Sequence, residues 1–522
     1  MPASSQEIVN SPVEGGRLSE SSTRGPRAPA AAWWLKFAVL ALMLIVIVAL
    51  LRFPLRRIGA DHEINYNEGW NAYKQALVQH GVPLYGARPD AFTGPTTYPP
   101  VSFHLIAWLA GHGDPVRTGR WVSLLALLAT GVLIGLIVRE LGADAAVAAF
   151  SALLFILGMA VFLPDRLGMN DPQLLGEAFT TAGLYGYVRS RRRDSVRLLW
   201  LSAFAFCLAG FTKQTLLAFP AAAGLDLLLR SRKRFAVWLG AMVVFAALFT
   251  ALTLAVDGRY FFANLLFHRG YSFDDALASA TQYYLGAFQA IMLVAIVWML
   301  LRMRSSALLA AAFVFANALA FVLAGGDGVD LNIYFNAFAA MVMICGVAVA
   351  EFGGSNMGPT RAEAGRDRGD SGMKAAALMI ALFVCISIGV PDRLQADKAA
   401  GALLAANDAE FRNAVALLKA TPGPALCENL LLCYRAGKPY SFDTFVASDQ
   451  LEAGSLRDDA VPGLLRSGKF GAIELDALPE EASASAPVVR NRPRFPEAWM
   501  NALLENYRLR LRSAHMLIFV AK

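Results

Sequence analysis

From Trp33 to Leu51 the chain reads WWLKFAVLALMLIVIVALL, with Lys36 the one charged residue in the stretch. An apolar run of about 17–25 residues matches the hydrocarbon core of a bilayer, where a helix satisfies all of its own backbone polar groups. Ten further apolar stretches follow: Trp121–Val138, Ala143–Phe162, Pro172–Tyr187, Leu198–Thr212, Thr215–Leu229, Phe235–Val256, Tyr284–Leu301, Ala307–Ala324, Ile333–Ala350 and Lys374–Val390. The expected fold class is therefore a polytopic α-helical membrane protein with about eleven spans. The fifth and sixth stretches are short, and Lys213-Gln214 separates them.

Composition agrees. Of 522 residues, 56% are hydrophobic and 17% charged, below the roughly 25% charged of soluble domains. The net charge of +7 does not point to nucleic acid, because the basic residues cluster in short loops between apolar runs. Arg189 to Arg197, Arg230 to Arg234, Arg302 and Arg304, and Arg361 to Lys374 fall on one side. The opposite short loops carry only Arg166, Lys213, Arg259 and Arg269. The positive-inside rule makes the first side cytoplasmic; Arg52, Arg56 and Arg57 oppose this and are outnumbered. Eleven spans from a cytoplasmic N-terminus put the C-terminus outside, in an inner cell membrane.

Three regions flank or interrupt the spans. Residues 1–31, rich in Ser, Pro and Arg, read as a disordered cytoplasmic tail without a cleavable signal. The large first outer loop, 52–120, holds Val101–Gly111, apolar but too short to span, and so an expected interfacial helix. Beyond the membrane region (32–391), residues 392–522 show helical periodicity in Leu404–Leu418 and strand-like runs at Ala472–Leu475 and Met516–Val520, hence a small α/β domain outside the membrane. Its Cys427 and Cys433 would there meet an oxidising compartment. A bridge between them requires the chain to turn, through Glu428-Asn429 for example, since six residues rise about 9 Å in a helix and about 20 Å in a strand. Two unpaired buried cysteines are the alternative.

Few polar residues stand where chemistry could occur. The first outer loop opens Asp61-His62-Glu63-Ile64-Asn65-Tyr66-Asn67-Glu68-Gly69-Trp70. Its carboxylates suit a general base or a cation site, or simply a solvated loop. Asp171-Pro172 reads as a helix start, Asp as cap and Pro at the first helical position. Arg166, Lys213, His268 and Arg269 offer positive charge for a phosphate, with snorkelling as the plain alternative for Lys213. Asp327 and Asp330 alternate with glycine in GGDGVDLNIY, residues 325–334, without matching a calcium loop. No Walker A sequence, zinc spacing or nucleophile elbow is present.

The order of these elements resembles the GT-C superfamily of membrane glycosyltransferases, which includes protein O-mannosyltransferases, the aminoarabinose transferase of lipid A and bacterial arabinosyltransferases. The resemblance runs from Asp61 to Ala350. It rests on an acidic residue after the first span, Gly81-Val82-Pro83-Leu84-Tyr85, Tyr98-Pro99-Pro100, Asp171-Pro172, Lys213 and Asn332-Ile333-Tyr334. It departs at Asn67-Glu68, where many members carry Asp-Glu. The resemblance implies a donor sugar on a polyprenyl phosphate and transfer to a hydroxyl of a glycan, lipid or protein at the outer face, with inversion. Glu68, Asp171, Asp61 and Glu63 become candidate catalytic carboxylates. Arg166, Lys213, His268, Arg269, Asn332, Tyr334 and Tyr98 become candidate substrate contacts. A divalent ion, Mg or Mn, held by Glu68 and Asp171 is a further possibility. A secondary transporter or flippase, and a non-enzymatic cell-envelope assembly protein, are the competing classes; acids concentrated in outer loops rather than mid-membrane favour surface chemistry.

Overall fold

The computed structural model describes residues 28–92, 94–267, 269–302, 306–354, 367–476 and 494–522. His268, Arg304, Arg361, Arg366 and the expected disordered tail up to residue 27 lie outside them.

The membrane region is built from α1 (Ala28–Arg57), α2 (Asn67–Gln79), α3 (Val101–Ala110), α4 (Pro115–Glu140), α5 (Ala145–Phe162), α6 (Pro172–Arg193), α7 (Val196–Gly210), α8 (Ala218–Arg230) and α9 (Arg232–Val256). It continues through α10 (Phe261–Leu265), α11 (Phe273–Thr281), α12 (Gln289–Arg302), α13 (Ala307–Ala324), α14 (Phe335–Phe352) and α15 (Asp367–Ser387). Helix starts follow local chemistry. Asp114, Asp144 and Asp171 each cap a helix through a side-chain oxygen, and Pro115 and Pro172 occupy first-turn positions where no backbone donor is needed.

All eleven apolar stretches are largely helical, but among the described residues six helices are by themselves long and apolar enough to cross a membrane, and up to eight if two bent pairs each count as one span. The expected count of eleven is thus not reproduced. The fifth and sixth stretches form α7 and α8, of 15 and 13 residues, shorter than the roughly 20 residues a span needs. The protein is nevertheless a multi-pass membrane protein. On α9 only Trp238, Ala241 and Thr253 are buried, while Val243, Val244, Leu248 and Leu252 face outward. An apolar surface so extended is solvated by lipid rather than by water. By contrast α14 is wholly enclosed, Phe335 to Ala350 all buried, and forms the centre of the bundle.

Val101–Gly111 does form a helix, α3, with Trp108 and Leu109 exposed at its end. The C-terminal region begins with α16 (Val390–Ala420), bent about 40° from α15. It continues with β1 (Ala425–Cys427), α17 (Leu430–Arg435), α18 (Thr444–Glu452), α19 (Ala460–Arg466), β2 (Ala472–Leu475), α20 (Glu497–Asn506), β3 (Tyr507–Arg512) and β4 (Leu517–Ala521). The sheet order is β1-β2-β4-β3, with β1 parallel to β2 and the other pairs antiparallel. Cys427 and Cys433 are disulfide-bonded, their Cα atoms 6.0 Å apart, across the turn at Glu428-Asn429.

This region seats directly on the segment between α1 and α4. A Cβ at Gly69 of α2 would lie 2.2 Å from the backbone nitrogen of Leu431 in α17, so only glycine lets the two backbones meet. A Cβ at Gly119 of α4 would lie 1.9 Å from Asn170 Oδ1, and the glycine likewise lets the 163–171 loop approach α4. Both contacts bring loops from distant parts of the chain around one space.

Candidate active site

That space is a cavity of about 450 Å³ walled by four segments. Asn65, Tyr66, Asn67 and Trp70 come from the start of α2, and Pro95, Thr97 and Tyr98 from the run before α3. Arg269, Asp275 and Ser279 join the turn 326–331 on a third side; Asp443, Phe445, Asp449 and Arg494 of the C-terminal region close the fourth.

On one side positive charge gathers around Tyr98. Lys213 Nζ, from the α7–α8 break, sits over the Tyr98 ring, 5.1 Å from its centroid. Arg269 donates to Thr97 Oγ1 at 2.8 Å, and Arg166 pairs with Asp330. Asp171, Arg166, Arg269 and Asp330 are all close enough to act electrostatically on both Tyr98 and Lys213. Burial pulls the Lys213 ammonium below the usual lysine range, and Asp171 pulls it back up. Burial, assisted by Asp171, also raises Tyr98, so its phenol is neutral and can donate. Asp171 Oδ1 caps α6 through Gln173 N at 2.8 Å, while its Oδ2 is buried without a hydrogen bond among the described residues.

Acids line the same cavity. Asp449 on α18 faces Asp327 of the glycine-rich turn, and burial together with the hydrogen bond and charge of Asp327 raises Asp449 to about 6. Asp443 caps α18 through Phe445 N at 2.9 Å and accepts from the Tyr66 hydroxyl. Arg494 lies 4.3 Å from the Tyr66 ring centroid. Behind them, burial raises Glu63, Glu428 (to about 7), Glu474 and Asp476, with Asp476 adding to the first three and Arg494 the nearby counter-charge.

The structure brings together part of the residue set expected from sequence. Tyr98 and Arg269 line the cavity, and Lys213, Arg166 and Asp171 surround Tyr98. Three expected catalytic carboxylates are elsewhere. Glu68 is 0% exposed and bidentate to Arg120, with Oε2 2.7 Å from Nη2 and Oε1 2.9 Å from Nε. It also accepts from Ile64 N and Asn170 N. Each of its oxygens thus accepts two bonds, and through Asn170, the sequence neighbour of Asp171, it lies next to Asp171 in space without lining the cavity. Asp61 is paired with Arg117 and Arg412, and the Glu63 carboxyl belongs to the buried acidic group. Asn332 and Tyr334 are core residues, Tyr334 stacked on Tyr283 at 4.2 Å. The sequence reading did not single out Asp443, Asp449, Arg494 or Asp275 for the site. Charge composition offered no hint, because residues 392–522 hold 16 acidic and 16 basic side chains.

A family model described as dolichyl-phosphate-mannose-protein mannosyltransferase matches residues 98–255. A comparison with curated protein sequences gives no match. Among solved structures, ArnT from Cupriavidus metallidurans in the apo state is similar with a TM-score of 0.57 at 17% identity, over 94% of this chain and 98% of that one. ArnT bound to undecaprenyl phosphate gives 0.57 at 16% identity, over the same shares of the two chains. The Archaeoglobus fulgidus oligosaccharyltransferase tethered with an acceptor peptide gives 0.51 at 10% identity, over 94% of this chain and 75% of that one. The chain thus has the GT-C fold of multi-pass membrane glycosyltransferases.

Proposed function

We propose that the protein moves a sugar from a polyprenyl-phosphate carrier to an acceptor hydroxyl, within this cavity and at the outer face of the membrane. The observation that carries the reading is the convergence of Lys213, Arg269 and Arg166 on Tyr98, at the edge of a cavity also lined by Asp327, Asp443 and Asp449. The similar ArnT structure with undecaprenyl phosphate supports the choice of carrier. In the proposed step the acceptor oxygen attacks the anomeric carbon as its proton passes to Asp449, which is ionised above about pH 6 beside Asp327. The bond from anomeric carbon to phosphate oxygen breaks on the opposite face, giving inversion, and the polyprenyl phosphate departs with the electron pair. Lys213 and Arg269 stabilise the charge that develops there, and Asp171 orients Lys213.

Among the described residues no group of three or more His, Cys, Asp or Glu side chains is arranged to hold a metal ion. Glu68, one half of the expected Mg or Mn pair, has both oxygens engaged, so that pair does not fit and no step is routed through a metal.

The test is single-turnover transfer by purified protein from a polyprenyl-phosphate sugar. Lys213→Ala should slow it by about a hundredfold, the usual loss for one stabilising donor, with Lys213→Arg recovering part. An unchanged rate in Lys213→Ala contradicts the reading. A reporter fused after Lys522 tests the sidedness separately and should be active only outside the cytoplasm.

A further inference from the structure

At the far end of α6, roughly 33 Å from Asp171 for a 22-residue helix, a second cavity of about 560 Å³ opens between the ends of α4, α6, α8 and α9. Its apolar lining includes Leu141, Val188 and Leu227, and four guanidiniums stand around it: Arg191, Arg192, Arg230 and Arg234. These are not independent surface arginines. Asp226, 2% exposed, takes Arg191 Nη1 at 3.0 Å and Arg230 Nε at 3.0 Å, and also the Tyr187 hydroxyl. Arg192 pairs with Glu140 at 3.2 Å, and Arg234 pairs with Asp194 and donates to Ser190 O at 3.2 Å.

Such pairing fixes each guanidinium while using only some of its five N–H donors. Arg234 Nε is buried and without a partner among the described residues. With Arg189, which also reaches Glu140, five arginines meet three carboxylates, so two positive charges remain uncompensated. Merely orienting charges need neither a buried aspartate to hold them nor a common cavity.

We propose that this cavity binds a phosphate group, carried either by the headgroup of an anionic phospholipid or by a free phosphate ester or ion. Basic pockets between membrane helices suit such headgroups. Leu228, Leu229 and Val237, exposed beside the pocket, give acyl chains an apolar surface to follow.

The test uses the full chain purified in detergent, with melting temperature read against added phosphatidylglycerol, phosphatidylcholine or inorganic phosphate. Phosphatidylglycerol should stabilise the protein and phosphatidylcholine should not. In the double variant Arg192→Gln/Arg234→Gln the apparent affinity should fall about fivefold for each guanidinium removed. These two are chosen because Arg191 and Arg230 also hold the buried Asp226. If the double variant does not fold, Arg192→Gln alone, 59% exposed at its side chain, gives the same comparison. Stabilisation by millimolar inorganic phosphate equal to that by the lipid assigns the site to a free phosphate and leaves the phosphate chemistry standing. Equal shifts with both lipids and none with phosphate, or variants that respond as the wild type does, overturn the proposal.

Discussion

Two acidic residues of this molecule, Glu68 and Asp449, have the same chemistry and opposite circumstances. Glu68 is enclosed, bidentate to Arg120 and saturated with backbone donors. Arg120 in turn spends its remaining donors on the carbonyls of Arg57, Ile58, Ala60 and His62, and so staples the start of the loop after α1 to α4. Asp449 lines the cavity, paired with another acid, and is held near the pH at which a carboxyl can exchange a proton in turnover. A buried carboxylate with a complete donor set is a structural part; one sharing a proton across a cavity is available for chemistry. Position in the sequence favoured the first, and environment favours the second.

The largest expected effect separates the two by activity. Asp449→Asn should fold normally and slow transfer by about 10²–10⁴-fold, the range of general base catalysis. A rate within a few-fold of wild type returns the base to Asp171 or elsewhere. The matching change at the other site should act on folding. Glu68→Gln leaves Arg120 as an unpaired buried charge, at a cost of about 3–5 kcal/mol, visible as a lower melting temperature and a smaller folded yield. Molecules that do fold should transfer at close to the wild-type rate. A stable but inactive Glu68→Gln would restore Glu68 as a reactive group.

Much of this was legible locally. Apolar runs locate the long helices of the membrane region, Asp171-Pro172 marks the start of α6, and the strand-like run Ala472–Leu475 is β2. Each depends on neighbours within a few residues. The span count was less legible, because an apolar run reports burial rather than crossing, and α7 and α8 are buried in part against protein. The site was legible on one side. Tyr98, Lys213 and Arg269 stand beside breaks in apolar sequence, where a charge is conspicuous. Asp443, Asp449 and Arg494 reach the cavity only because the C-terminal region folds back onto α2 through Gly69, and nothing near them in sequence records that contact. The partner of Glu68, Arg120, was not legible for the same reason, since folding brings it there.

Smaller effects sharpen the comparison. Gly69→Ala forces a methyl group against Leu431 and should cost about 1–3 kcal/mol, read as faster proteolysis of the C-terminal region. Removing the disulfide with Cys427→Ser/Cys433→Ser should cost about 2 kcal/mol by the loop-entropy relation. Thiol labelling of the denatured, unreduced wild type should modify Cys207, Cys345 and Cys385 and spare that pair. The acidic group behind the cavity should give a pH dependence. Glu428 is raised to about 7 by burial and by Asp476, so the folded state holds a proton that the unfolded chain releases at about 4.3. Its contribution is complete below that value and is lost as pH rises through about 7, so the protein should melt at a lower temperature at pH 8 than at pH 6. The reverse order would remove the buried acidic group from the account.

The most direct test is the pH profile of single-turnover transfer in wild type and in Asp449→Asn. With Asp449 as the base, the wild-type rate should rise with pH through about 6 and then level. The variant should be slow and flat over the same range. A variant that keeps both the wild-type rate and its rising limb contradicts the assignment of the chemistry to the Asp327–Asp449 wall.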